Sequence, residues 1–126
     1  RIVWRGLSLR APPLAREVST EWTVAMPDVF SIRHTTLEDA VEPVVHEIKV
    51  RRADLLSDLR HEAKREAYRA LSSQCWYVIE AGIGQPEEIP DTYGVMLSRQ
   101  GVLEVARPAP RRADSHRRCE TAARHA

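Results

Sequence analysis

Two strand-length apolar runs, PVVHEIKV at 43–50 and CWYVIEAG at 75–82, bracket the 22-residue stretch ADLLSDLRHEAKREAYRALSSQ. That order constrains this chain more than any other feature. Both runs are rich in β-branched or aromatic residues and too short for helices of their own. In the stretch between them Leu55, Leu59, Ala63 or Glu62, Ala67 and Leu71 recur at three- or four-residue steps, with charges on the other face. A long helix, with Asp54 in its first turn, is therefore predicted to cross over between two strands of one sheet.

The flanking segments add strands. Glu17 to Val24 reads as a strand, Pro27 interrupts, and DVFSI continues as a second extended run, so the two form a hairpin or a bent strand pair. Pro27, which has no N–H to donate, is expected at an edge or bulge. The first sixteen residues leave strand and helix end both open before Pro12-Pro13. IGQPEEIPD is a loop, and YGVMLSRQGVLEVAR is a hairpin turning at Arg99-Gln100-Gly101. The expected architecture is a mixed α/β sheet with a βββαβ core and a C-terminal hairpin, in one domain over residues 1–107. Residues 108–126, rich in arginine and poor in large apolar side chains, read as a basic, flexible tail.

Length and composition are ordinary for one domain of 126 residues with its own core. No apolar run is long enough to span a bilayer, so no membrane role is expected. The chain opens on Arg1 without an apolar leader, and reads as a fragment lacking an N-terminal element. Cys75 and Cys119 have no metal-ligand spacing, and a reducing cytoplasm is the expected compartment. The net charge of +1 divides unevenly, with positive charge gathered on residues 51–70 and beyond 106. Such a division suits a phosphate-binding face or, equally, a solvated helix face and a solubilising tail.

Strand parity makes a constellation of Glu47-Ile48-Lys49. Residues two apart share a face, so Glu47 and Lys49 project together while His46, Ile48 and Val50 point the other way. Asp28, directly after Pro27, comes beside them if its strand pairs with this one. Two carboxylates converging in an apolar setting repel each other, and a divalent cation offsets that cost. Hard oxygen ligands suit Mg²⁺, with Mn²⁺ as a substitute. A lysine beside such a cation can hold an attacking water or stabilise charge on a phosphate.

Pro27-Asp28, then Glu47-x-Lys49 on the next strand, then a long helix and a strand, resembles the PD-(D/E)XK nuclease superfamily over roughly residues 17–107. Within it, HEIKVRRADLLSDLRHEAKREAYRALSSQCWYVIEAG and EEIPDTYGVMLSRQGVLEVAR are most similar to MmcB-like DNA-repair endonucleases of bacteria. The resemblance implies a restriction-endonuclease-like fold that lacks a complete N-terminal helix. It also implies metal-dependent hydrolysis of DNA phosphodiesters, with Asp28 and Glu47 as metal ligands. The backbone carbonyl of Ile48 supplies a further ligand and Lys49 is the catalytic lysine. Some members carry Gln-x-x-x-Tyr on the following helix; here the spacing is Lys64-x-x-x-Tyr68, which makes that pair candidates for supporting the site.

Arg51 and Arg52, directly after the motif strand, are the preferred phosphate contacts. The other helix charges, Asp58 among them, interleave as on an exposed helix with i,i+4 pairs. By parity His46 is a core or hydrogen-bonded histidine, and Tyr68 and Trp76 read as core. DNA is the expected partner. A homodimer is a further expectation, because cutting both strands of a duplex takes two sites or two events. The rival reading is a catalytically inactive nucleic-acid-binding or protein-interaction module on the same fold.

Overall fold

The structure, a computed structural model, describes residues 1–11, 23–37 and 40–112. In chain order its strands are β1 (Ile2–Arg5), β2 (Leu9–Ala11), β3 (Thr23–Ala25), β4 (Val29–Ile32) and β5 (Val44–Lys49), followed by helices α1 (Arg52–Arg60) and α2 (Glu62–Leu71). β6 (Gln74–Glu80), β7 (Gly94–Arg99) and β8 (Val102–Arg107) complete it. Six strands form one mixed sheet in the order β1-β4-β5-β6-β7-β8. β5 and β6 run parallel, as a helical crossover requires, β6 and β7 are also parallel, and the remaining pairs are antiparallel. This is the mixed α/β, restriction-endonuclease-like sheet expected from the sequence. Its three leading strands are β1, β4 and β5.

The partner of β4 differs from the expected one. β3 pairs with β2 in a separate two-stranded ribbon packed on α2, while β4 lies between β1 and β5. Residues 17–22 of the expected strand lie outside the described residues. Pro27 is buried between β3 and β4, where it can donate to no ladder, and pairing changes sheet there. Among the described residues no α-helix precedes β5, and no helix is long and apolar enough to cross a membrane.

The single long helix is in fact two. At His61 the backbone leaves helical geometry (φ −90°, ψ 78°). The His61 N–H bonds Asp58 O at 3.0 Å, and its ring Nδ1 lies 2.8 Å from Ser57 O, the carbonyl that a continuous helix would pair with that N–H. The side chain thus satisfies the acceptor that the break exposes. Past the break, Ala67, Tyr68, Ala70 and Leu71 of α2 join Leu55 of α1 on Val45, Tyr77, Ile79 and Val95 of the sheet. Ala63, which the periodic pattern placed on the apolar stripe, is exposed.

Arg107 closes the other crossover. The parallel step from β6 to β7 has only residues 81–93 and a single 3-10 turn at Pro86–Glu88. The Arg107 guanidinium gathers that loop's carbonyls, donating to Pro90 O at 2.8 Å, Ile89 O at 3.0 Å, Tyr93 O at 3.0 and 3.1 Å and Pro86 O at 3.2 Å. Hydrogen bonds from a charged donor contribute about 1.5–3 kcal/mol each at most, and clustered ones are not additive. Arg107→Ala is therefore expected to lower stability by about 2–4 kcal/mol in urea unfolding. Arg107→Lys should recover less than half of that, because an ammonium cannot fork to several carbonyls.

The terminal hairpin turns at Gln100-Gly101, both with positive φ (50° and 81°), as a two-residue turn demands. Beyond β8, residues 108–112 are laid against the sheet. Ala109 is buried, its carbonyl accepts from Gln74 Nε2 at 3.0 Å, and the Arg112 N–H donates to Ser73 O at 2.8 Å. Gly94 permits this passage, since a Cβ there would lie 2.4 Å from the Trp76 ring and 2.7 Å from Ala109 N. The domain therefore continues to Arg112; the rest of the expected tail lies outside the described residues.

Candidate functional site

The β4–β5 ladder ends at the pair Val29–His46, and one step further stand Asp28 and Glu47. Here side chains replace the ladder. The Asp28 N–H donates to Glu47 Oε1 at 3.1 Å, and the Ile48 N–H donates to Asp28 Oδ2 at 2.8 Å. Each carboxylate thus accepts from backbone on the other strand, which holds the two acids side by side. Glu47 faces the helices and is buried, whereas Asp28 is exposed.

Lys49 shares the Glu47 face, as parity requires. Its Nζ is 3.5 Å from Glu47 Oε2 and 3.5 Å from Asp58 Oδ1. Asp58, by its charge expected among the solvated helix residues, is buried and central. Its Oδ1 takes the Lys64 ammonium at 2.5 Å, and its Oδ2 accepts from the Tyr77 hydroxyl at 2.6 Å. A signal was present, because Asp58 falls three residues after Leu55 and next to Leu59, on the apolar stripe. In a continuous helix Asp58 and Lys64, six residues apart, would point about 120° away from each other. The break at His61 brings them together.

Lys64 also reaches Glu47 Oε2 at 3.1 Å, and its Nζ lies 5.6 Å from the centre of the Tyr68 ring. Tyr68 itself is core, with its hydroxyl donated to Met26 O at 3.2 Å. Lys64 and Tyr68 are thus in contact with each other, the ring beneath the ammonium. Of the two arginines, Arg52 is committed elsewhere. Its guanidinium bonds Glu88 at 2.8 and 3.2 Å and Ile83 O at 2.9 Å, bracing α1 against the β6–β7 loop. Arg51 is exposed at the N-cap of α1. His46 stands on the opposite sheet face, stacked on Trp76, where parity had placed it.

Electrostatics separate the two buried acids. Burial raises the Glu47 pKa above the usual carboxylate range, and the Asp28 N–H and Lys64 only partly reverse this. Burial pushes Asp58 the same way, but the hydrogen bonds from Lys64 and Tyr77, with the charges of Lys64 and Lys49, outweigh it and hold Asp58 low. Lys64 is raised: burial disfavours its charge, yet Asp58 and Glu47 more than compensate. Beside the cluster opens a cleft of about 410 Å³ lined by Lys49, Lys64, Asp58, Ser57 and His61 among others.

The donor set fits a hard divalent cation. Asp28 and Glu47 offer adjacent carboxylate oxygens with remaining lone pairs, and an ammonium already stands where positive charge is required. Among the described residues no three His, Cys, Asp or Glu side chains are grouped to hold a metal.

No model of a known protein family matches this chain, and no curated protein sequence matches it. The chain is similar to a solved structure, the SPO1766 protein of unknown function from Silicibacter pomeroyi. It is 22% identical, with a TM-score of 0.55 over 94% of this chain and 73% of that one. At that identity the likeness bears on the fold alone.

Proposed function

We propose that this chain is a metal-dependent DNA endonuclease of the PD-(D/E)XK type, acting in the cytoplasm of a bacterium in DNA repair. The observation that carries the reading is the convergence of a cross-bonded Asp28–Glu47 pair with Lys49, which is 3.5 Å from Glu47 and lines an open cleft. An acid pair and a lysine so placed are the parts that phosphodiester hydrolysis requires. In this reading Asp28, Glu47 and the Ile48 carbonyl hold Mg²⁺ or Mn²⁺, which when bound supplies Lewis-acid polarisation of a phosphoryl oxygen. Lys49, aimed by Asp58 at 3.5 Å, holds the attacking water or meets charge developing on the phosphate. Arg51, exposed directly after the motif strand, is the arginine left to contact the DNA backbone. Cutting both strands of a duplex suits a homodimer.

Calorimetric titration with Mg²⁺ and Mn²⁺ tests this reading. The chain should bind, and Asp28→Asn should lose binding while keeping its thermal unfolding transition. Equal binding by Asp28→Asn would remove the carboxylate pair from the proposal.

One observation favours the inactive binding module. Both oxygens of Glu47 already have partners, Oε1 the Asp28 N–H and Oε2 two ammonium groups, so the buried charge is balanced without a metal. A folded chain that binds DNA but gives no heat with either cation would establish that reading instead.

A further inference from the structure

Glu47 Oε2 receives two ammonium groups, and they are not equally held. Lys49 is on the same rigid strand, and its side chain is 15% exposed; Lys64 reaches in from α2 and is 38% exposed, with the cleft beside it. Its two anchors, Glu47 and Asp58, are almost fully buried. If the Glu47–Lys64 contact is broken, Lys64 still has Asp58 at 2.5 Å and the Tyr68 ring beneath it. Lys49 would keep only the longer contact to Asp58 at 3.5 Å, so Lys64 is the partner that leaves Glu47 with the closer remaining anchor.

A divalent cation held by Asp28 and Glu47 would place a second positive charge on the carboxylate that Lys64 already meets. Two cations on one buried carboxylate repel strongly, so both cannot occupy it at full affinity. We propose that Lys64 is a displaceable internal cation: it neutralises Glu47 in the cation-free chain and gives up that oxygen when a divalent cation binds. This rests on the metal-dependent reading above. Its consequence is electrostatic. In formal charge Asp28, Glu47, Asp58, Lys49 and Lys64 sum to −1, and a divalent cation turns that to +1, the sign a phosphodiester requires.

The test is cation affinity, measured by calorimetry with Mn²⁺ and Mg²⁺ on the unmodified chain, Lys64→Gln and Lys64→Arg. Glutamine keeps a donor for Glu47 and removes the charge, so Lys64→Gln should bind roughly tenfold tighter or more, whereas Lys64→Arg, still charged, should bind no tighter than the unmodified chain. Binding by Lys64→Gln alone would support the proposal more strongly still. Equal or weaker binding by a folded Lys64→Gln overturns it while leaving the carboxylate site standing. No binding by any of the three overturns both. A second measurement needs no substitution. The Lys64 ammonium resonance, slowed in exchange by its ion pairs, should shift on saturation with Mg²⁺ in nitrogen-15 NMR, and an unchanged resonance at saturation rejects displacement.

Discussion

Replacing Asp58 with alanine should cost about 3–5 kcal/mol of stability, the range for removing one partner from a buried, hydrogen-bonded ion pair. The loss has three parts. The Tyr77 hydroxyl, 2.6 Å from Asp58 Oδ2, is left buried without its acceptor; Lys64 loses its closest anion; Lys49 keeps only Glu47 at 3.5 Å. Asparagine retains one acceptor and should cost less. Urea unfolding of both variants measures this, and a loss under about 1 kcal/mol for Asp58→Ala would mean that the cluster is solvated after all.

The same residue sets an acid dependence. Asp58 titrates below its ordinary value in the folded chain, so its contribution is present above the unfolded aspartate value of about 4 and is lost as pH falls through the lower folded value. Glu47 has the opposite sign. Its folded pKa lies above the unfolded one, so its ionisation weakens the fold as pH rises through that interval, and mild acid relieves this. The stability difference between the unmodified chain and Asp58→Asn should therefore shrink below about pH 4. A difference that stays constant from pH 7 to 3 would contradict the assigned pairing.

The largest functional effects are expected at Asp28 and Lys49. If the chain is a nuclease, Lys49→Ala should slow cleavage of a DNA substrate by about 10²–10³-fold, the usual loss when one charged group aimed at the reacting centre is removed. Cation binding should survive that change. Asp28→Asn should remove both binding and cleavage. Asp28 is exposed and its substitution leaves the buried Glu47–Lys64–Asp58 cluster intact, so a folded, inactive variant is the expected product. Cleavage by Lys49→Ala at the unmodified rate would take the lysine out of the chemistry.

The strands were readable because a period of two is local. PVVHEIKV needed no tertiary knowledge to place Glu47 and Lys49 on one face and His46 on the other, and the sheet keeps that division. The β5–helix–β6 order was enough to require a crossover, and Gln100-Gly101 marked a hairpin by its turn chemistry alone. Glu47 and Lys49 were thus candidates from sequence, with Asp28 dependent on one strand pairing.

What lay beyond the sequence concerns how elements meet. HEAKREAY contains strong helix formers and neither proline nor glycine, so nothing local marks a break at His61; packing makes it, with the His61 ring supplying the missing bond to Ser57. That break brings Lys64 onto Glu47 while Asp58 meets Lys49, and joins the two helix residues to each other. Asp58 stands beside the apolar stripe but carries the same charge as Glu62 or Glu66, and it is burial under Tyr77 and two lysines that makes it central. The partner of β4 was likewise undetermined, because strand pairing is a choice among distant segments whose local patterns are alike. Periodicity selects the face of each element, whereas the meeting of faces is decided by non-local burial and charge pairing, and it is there that this site is built.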